Sequence, residues 1–347
     1  ARASLTVFCP MKTLNLRLAA LSLAALAACS AHAQTSATLP DMVVTATRTP
    51  QPLTDVVADV SVIDRDTIER SGATGLADVL ARLPGVEITR NGGPGATTSV
   101  FMRGAESRFT AVYIDGVRVD SQSTGGASWQ NIPLSQIDRI EVLRGPASAI
   151  YGSDAISGVV QIFTKKGEKG VAPYVGVGAG TYGTYKAEAG VSGATDSGAG
   201  AVDYAVGITR EVSQGFNARP IAGQNPDRDG YRSTALSGRL GLQVNPANRI
   251  EATLMANDIN SGYDNFGYTP ATAADDRSLG RLRALGLNWQ SQWTEQYKTR
   301  LSITDSSDRY ETRPSPYLTQ THLRGYLFQN EWRLGAHLLT AALERRE

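Results

Sequence analysis

Residues 137–165, which read IDRIEVLRGPASAIYGSDAISGVVQIFTK, separate two kinds of sequence and decide the fold. A strand is predicted over residues 139–143, and a short helix can begin at Pro146 because proline suits the first helical position. A turn of small residues and the β-rich run 159–164 complete the stretch. Compact mixed α/β sequence precedes it, and amphipathic β hairpins follow it.

The preceding segment, residues 53–166, has the pattern of a small α+β domain. It contains a predicted strand over 56–64 and a helix over 75–83 whose apolar residues share one face, with Thr74 as the expected N-cap. Asp115-Gly116 stands between two β-prone runs and predicts a hairpin. Residues 121–128 form a long loop of small residues, a type that is often functional.

The following segment, residues 167–347, reads as about nine β-strands. Large apolar residues such as Leu236 and Leu240 alternate with polar ones such as Arg239. Tight turns alternate with long loops, which is typical of a transmembrane β-barrel. A soluble β-sandwich would also explain the alternation, but not strands of about ten residues.

Within the first 33 residues, we expect residues 1–10 to be upstream sequence and predict a signal peptide from Met11 to Ala33. A small-residue motif predicts cleavage after Ala33, and lipidation at Cys29 is the alternative. The chain has two cysteines, Cys9 and Cys29. Because both precede the predicted mature start, we expect neither a disulfide nor a cysteine metal site.

Composition argues against several functional classes. The formal net charge is +1, which does not suggest a nucleic-acid partner. His32, His322 and His337 are isolated, so no catalytic or histidine-metal group can be assembled from them. We therefore expect a protein that is not an enzyme. No later stretch is apolar and long enough for a transmembrane helix, so a membrane role would use strands.

Five motifs resemble the TonB-dependent outer-membrane receptor family. In chain order they are VVTA at 43–46, LPGV at 83–86, FMRG at 101–104, YIDGV at 113–117 and the deciding stretch at 139–163. The resemblance implies an α+β plug domain inside an antiparallel barrel of about 22 strands. It also implies active transport across the outer membrane of a Gram-negative bacterium, in contact with its lipid.

The resemblance divides the chain and assigns its N-terminal segment. Residues 34–52 carry the docking strand for the partner TonB, which acts with an inner-membrane energising complex, and residues 53–166 form the plug. Residues 167–347 would be the N-terminal part of a truncated barrel, because about nine strands do not close it. The predicted TonB box comprises Asp41, Met42, Val43, Val44, Thr45, Ala46 and Thr47. These residues could instead pair inside their own domain.

Within the family, the plug is most similar to that of the receptors that import cobalamin. This similarity implies a corrinoid ligand contacted by apical plug loops, at Asn91, Thr97, Ser99, Glu106, Thr124 and Gly125. Glu106 departs from the cobalamin-receptor pattern, which leaves open another corrinoid. The alternatives are a ferric-siderophore or haem receptor and, from another class, a passive adhesin or phage-binding barrel.

Two barrel loops resemble the calcium-binding loops of the same receptors. The residues that correspond are Asn225, Asp227, Asp229, Asp258 and Asp264. Clustered carboxylate and amide oxygens suit a hard cation such as calcium. Asn217 stands where those receptors have another acidic ligand, which weakens the match there. The alternative interpretation is a pair of solvated acidic loops.

Charged residues in the predicted plug indicate ion pairs. They are Arg103, Arg139, Arg144, Asp115 and Glu141. Buried charges must be paired, so these residues predict either a latch that breaks during transport or a static network between plug and barrel wall.

Overall fold

The structure is a computed structural model that describes residues 42–43, 48, 51–195, 198–222, 225–265, 276–335 and 337–347. The predicted signal peptide, its cleavage at Ala33 and the alternative lipidation at Cys29 lie outside these residues, as do five of the seven residues of the predicted TonB box. No helix in the described part of the chain has both the length and the apolar character needed to cross a membrane.

The predicted plug region is a compact α+β domain. Its α-helices span Arg65–Arg70, Leu76–Leu80 and Ser148–Tyr151. The strands up to its end are β1 (Met42–Val43), β2 (Gln51–Pro52), β3 (Asp59–Asp64), β4 (Val86–Arg90), β5 (Thr98–Met102), β6 (Thr110–Ile114), β7 (Val117–Val119), β8 (Ile137–Arg144) and β9 (Gly158–Thr164). Five of them form one sheet in the order β3-β8-β9-β6-β7, in which only β6 and β9 are parallel neighbours.

The deciding stretch supplies two adjacent strands at the middle of this sheet. β8 and β9 pair antiparallel, with Ile140 opposite Ile162 and Val142 opposite Val160. All four side chains are fully buried, which explains the near-continuous apolar sequence of both strands. The predicted Asp115-Gly116 hairpin joins β6 to β7, with the positive φ angles of 48° and 83° that this turn type requires.

Two predicted helix starts are displaced by one or two residues. The helix expected at Pro146 begins at Ser148, because the Ala147 amide donates to the carbonyl of Ala155 (2.9 Å) and holds the preceding chain outside the helix. The expected N-cap, Thr74, lies one residue before the actual N-cap, Gly75. The Thr74 hydroxyl donates instead to the carboxylate of Asp78, at 2.7 Å.

The rest of the chain forms one antiparallel sheet of nine strands, here called the wall. These are β10 (Gly170–Gly180), β11 (Thr184–Ala194), β12 (Ala201–Ser213), β13 (Tyr231–Asn245), β14 (Asn248–Gly262), β15 (Arg277–Gln292), β16 (Tyr297–Arg313), β17 (Tyr317–Leu334) and β18 (His337–Arg346). Each strand pairs with the next in sequence. The nine predicted strands are therefore confirmed, with 10 to 18 residues each.

The two faces of the wall have different environments. On β13, Ala235, Ser237 and Arg239 are buried against the plug, whereas Leu236 and Leu240 are exposed on the outer face. The hydrophobic core of the plug continues into the wall through Met255, Leu282 and Ala284. An exposed apolar outer face with a mixed inner face is the pattern of a membrane β-barrel.

The long connections lie at one end of the wall, here called the long-loop end. Residues 214–230 join β12 to β13, and residues 263–276 join β14 to β15. The connections at the opposite end of the same strands are short, as between Asn245 and Asn248. The predicted alternation of short turns and long loops is confirmed from β12 to β15. In contrast, β16 and β17 are joined by a short turn at the long-loop end.

Candidate functional site

A plug loop, residues 91–97, packs against the long-loop end of the wall. A Cβ atom on Gly95 would lie 2.7 Å from the Cβ atom of Tyr231 and 2.9 Å from the hydroxyl of Ser261. Only glycine allows this approach, which brings the loop against β13 and β14. Within the loop, the Asn91 amide donates to the carbonyl of Thr97, at 3.0 Å.

The predicted ligand-binding residues fall in separate plug segments. Asn91 and Thr97 lie in the first loop, exposed and half-buried respectively, and Ser99 follows half-buried on β5. Exposed Glu106 pairs with Arg108, at 2.7 Å between nitrogen and oxygen.

A second plug loop contains the remaining two predicted ligand residues. The Thr124 hydroxyl donates to the carbonyl of Gly126 (2.8 Å), and Gly125 adopts a φ of 61°. The amide of Gln122 donates to the hydroxyl of Thr321, at 2.9 Å, near the start of β17. The two loops therefore meet the wall three strands apart, and a ligand contacting both would have to span that distance.

Three predicted metal ligands come together beside the first plug loop. The carboxylates of Asp227, Asp229 and Asp264 have oxygens within 4.8 Å of one another. Asp229 is buried, and its carboxylate accepts from the amide of Ala218 at 2.9 Å. The group joins the loop before β13 to the loop after β14, so a cation held here would tie both long loops together.

The electrostatics of this group favour a cation. Both carboxylate oxygens of Asp264 are buried and accept no hydrogen bond from the described part of the chain. Burial, with the charges of Asp229 and Asp227, raises the pKa of Asp264 to about 6. Carboxylates this close repel one another, and a divalent cation would remove the repulsion. The oxygen donors present therefore fit a hard cation such as calcium.

Two other predicted metal ligands are placed differently. Asp258 lies inside β14 with its side chain on the outer face, where it pairs with Arg281, so the structure does not bring it into the acidic group. Its position in the strand alternation causes this, because the neighbours Asn257 and Ile259 face inward. Asn225 lies on the same loop as Asp227, and its carbonyl accepts from the amide of the Asn217 side chain at 3.3 Å.

The segment after the predicted TonB box is anchored to the plug and the wall. The Arg48 guanidinium lies 2.8 Å from the Glu344 carboxylate and stacks 4.6 Å from the ring centroid of Tyr151. Of the predicted box, Met42 and Val43 are described, and they pair with Pro52 and Gln51. Asp41, Val44, Thr45, Ala46 and Thr47 lie outside the described residues.

A buried ion network holds the plug to the wall. The guanidinium of Arg239 on β13 lies 3.1 Å from the Asp115 carboxylate of the plug hairpin and 2.7 Å from Glu251 on β14. Asp115 also accepts from the amide and hydroxyl of Thr164, at 3.1 and 2.6 Å. Asp115 was predicted to form an ion pair, but its wall partners were not predicted. The signal in the sequence was Arg239 itself, because a charged residue at an inward-facing position of an amphipathic strand needs a partner on the plug side.

The other predicted plug charges pair within the plug. Arg139 lies 2.8 Å from Glu141, whose side chain is fully buried. Arg103 and Arg144 both reach the carboxylate of Asp59, at 2.7 and 2.5 Å. Asp59 was not anticipated as their shared partner. Within the described residues, Asp115 is the member of the predicted set that forms an ion pair with the wall.

Comparisons with known proteins agree with this architecture. The family model of the TonB-dependent receptor plug domain matches residues 52–159. The vitamin B12 transporter BtuB of Vibrio vulnificus (strain CMCP6) is 37% identical over 243 residues, which are 69% of this chain and 39% of that protein. BtuB of Vibrio cholerae serotype O1 is 32% identical over 318 residues, 87% of this chain and 50% of that protein.

The fold is also found among solved receptors. The crystal structure of a mutant of the ferric enterobactin receptor PfeA from Pseudomonas aeruginosa has a TM-score of 0.68 and 19% identity, covering 88% of this chain and 50% of that one. This chain spans half or less of the length of these relatives. Its plug domain and the antiparallel wall packed against that domain place the chain in the family of TonB-dependent receptors.

Proposed function

We propose that this protein imports a corrinoid across the outer membrane of a Gram-negative bacterium, using energy delivered by TonB. The observation that carries the proposal is the 37% identity to a vitamin B12 transporter. The similarity to the ferric enterobactin receptor, at 19% identity, concerns the fold alone. Cobalamin or a related corrinoid is therefore the preferred ligand over a ferric siderophore.

The proposed ligand site lies at the long-loop end. The loop at Asn91 and Thr97 and the loop at Thr124 would contact the corrinoid from the plug side. Calcium held by Asp227, Asp229 and Asp264 would supply the positive charge that lets these carboxylates remain together. The bound cation would order the two long loops and so reduce the entropy lost when the ligand binds.

Transport would then depend on the N-terminal segment. The residues from Asp41 to Thr47 would pair with TonB as an added β-strand. The pairing of Met42 and Val43 with Pro52 and Gln51 holds the segment itself, and the ion pair between Arg48 and Glu344 holds the chain directly after it, so a pull on the segment would act on both. No covalent chemistry is required of the protein.

Replacing Asp229 with asparagine is expected to weaken calcium binding at least tenfold, because the variant loses one of three closely spaced carboxylates. Calcium titration of the purified protein by calorimetry measures this change. The matched control is Asp258→Asn, which removes a carboxylate on the outer face of β14 and should leave calcium affinity unchanged. Equal affinities for the two variants, or a loss confined to Asp258→Asn, would contradict the assigned ligands.

The same titration should depend on pH. With a pKa of about 6, Asp264 carries a proton below that pH in the metal-free protein. Calcium must displace this proton, so calcium affinity is expected to fall as the pH drops through about 6 and to level off above it. A calcium affinity that stays constant from about pH 5 to about pH 7, a range that spans the pKa of Asp264, would contradict the assignment of Asp264 as a ligand.

A further inference from the structure

A cavity of about 260 Å³, here called the arginine cavity, lies between the plug and the half of the wall opposite the long-loop end. Tyr113 and Arg118 of the plug hairpin line one side. Arg249, near the start of β14, and Arg300, near the start of β16, line the other. One water molecule needs only about 10–15 Å³, so a small ion of several atoms fits here. A corrinoid does not fit, because even drug-sized ligands occupy pockets of about 300–1,000 Å³.

Cations outnumber carboxylates around this cavity. Among the described residues that line it, nine are arginine or lysine and three are acidic, namely Asp115, Glu251 and Glu344. Some of the cations also pair with carboxylates outside the lining, as Arg249 does with Asp203. The excess therefore favours an anion, and hydrogen-bond donors without acceptors indicate where the anion would bind.

Arg48 and Arg118 are buried arginines of the lining with donors that remain unpaired. Their side chains are 9% and 6% exposed. In each guanidinium, Nε and one terminal nitrogen have no acceptor among the described residues, and the buried hydroxyl of Tyr113 also has no partner there. Buried polar groups in proteins are nearly always hydrogen-bonded, so five such atoms on residues of one cavity are an unusual concentration. They favour an occupant that accepts several hydrogen bonds.

Two stacked tyrosines hold these donors in one area. The Arg48 guanidinium lies 4.6 Å from the ring centroid of Tyr151, and that ring lies 5.3 Å from the ring of Tyr113. The Arg118 guanidinium lies 5.6 Å from the Tyr113 ring centroid. Arg118 also pairs with Asp120 at 3.1 Å, through a nitrogen other than its two unpaired ones.

The carboxylate on this side of the cavity does not balance the arginines around it. Glu344 lies 2.8 Å from Arg48 and 2.7 Å from Arg346, so two guanidinium groups share it. Arg346 also lies 3.6 Å from Asp154, which is 48% exposed and outside the lining. Arg300 donates to the carbonyl of Arg48 at 3.3 Å and forms no ion pair within the described part of the chain.

We propose that the arginine cavity binds a small phosphate-bearing anion, either inorganic phosphate or a phosphate monoester. A phosphate presents oxygen acceptors to several donors at once, and a guanidinium has paired N–H groups that match two of them. Its negative charge would offset the repulsion among the arginines, which Glu344 alone does not offset. Chloride would supply charge but not separate acceptor atoms, which favours an oxyanion.

A bound phosphate would connect three parts of the chain. It would bridge Arg118 of the plug hairpin, Arg300 of the wall and Arg48, which directly follows the predicted TonB box. The cavity lies away from the long loops, so phosphate and a corrinoid need not compete. This inference does not depend on corrinoid transport, and each can fail without the other.

The test is a calorimetric titration of the purified protein in mild detergent with sodium phosphate, in calcium-free buffer near neutral pH. We expect saturable binding. Tyr113→Phe should weaken it about tenfold, because a hydrogen bond to a charged acceptor is lost. The melting temperature of this variant without phosphate should be unchanged, because the hydroxyl has no described partner to lose. Arg118→Gln removes a charge and two unpaired donors, so it should weaken binding more than tenfold.

Two matched controls lie outside the lining. Tyr204→Phe removes a hydroxyl from a half-buried tyrosine of the wall. Arg144→Gln removes the charge of a buried plug arginine whose partner, Asp59, keeps its contact with Arg103. Both controls should bind phosphate as tightly as the unmodified protein.

A parallel titration with glycerol phosphate distinguishes the two sources of the anion. Tighter binding of glycerol phosphate than of inorganic phosphate assigns a monoester, and weaker binding assigns the free ion. Absence of saturable binding of both compounds would overturn the proposal. So would equal phosphate affinities of Tyr113→Phe and Tyr204→Phe, or of Arg118→Gln and Arg144→Gln.

Discussion

Replacing Val44 with proline is expected to reduce uptake of cobalamin by intact cells to the level of cells without the receptor. Proline lacks the backbone N–H that an added strand needs and restricts φ, so the segment could no longer pair with TonB. Binding of cobalamin to the purified protein should be unchanged, because the predicted ligand residues lie elsewhere. Growth on limiting cobalamin and uptake of labelled cobalamin measure the effect.

The control for this prediction is Val44→Ala, which keeps the backbone donor and should transport at a rate near that of the unmodified protein. The comparison separates the loss of strand pairing from the loss of a side chain. If Val44→Pro cells take up cobalamin normally, residues 41–47 are not a TonB box, and a passive barrel would become the better account.

Replacing Arg239 with alanine is expected to release the plug hairpin from the wall. The change leaves the buried carboxylate of Asp115 without its ion-pair partner, whereas half-buried Glu251 keeps its contact with Arg249. Breaking a buried ion pair in this way costs about 3–5 kcal/mol. Hydrogen exchange of the β6 and β7 amides should therefore accelerate by roughly a hundredfold or more if these amides exchange through release of the hairpin.

The matched control is Arg249→Ala. Arg249 pairs with Asp203 at 2.7 Å and with Glu251 at 3.3 Å, so these contacts lie within the wall. It is also more exposed than Arg239, with 33% against 7% of its side chain accessible. We expect little change in exchange of the plug hairpin in this control. Equal protection in both variants would show that Arg239 does not hold the hairpin.

Local chemistry explains why much of the fold could be predicted from sequence. The run 159–164 is apolar because β9 lies inside a sheet, and Asp115-Gly116 supplies the positive φ angles of a tight hairpin. The alternation on β13 follows from a strand with the plug on one face and an exposed apolar surface on the other. Each of these features is encoded within a few consecutive residues.

Contacts between distant residues were harder to predict. Arg239 is separated from Asp115 by 124 positions, and no local pattern pairs them. Asp258 is a residue type that commonly binds metal ions, but its position in β14 turns its side chain to the outer face. Asp227, Asp229 and Asp264 come together because β13 and β14 are neighbours, and the sequence indicated this only through the family resemblance.

The most direct test of the account is a calorimetric titration of the purified protein with cobalamin, in calcium and again in a calcium chelator. We expect saturable binding that is tighter in calcium, because the cation orders the two long loops beside the ligand. Absence of cobalamin binding in both conditions, with saturable binding of a ferric siderophore instead, would contradict it.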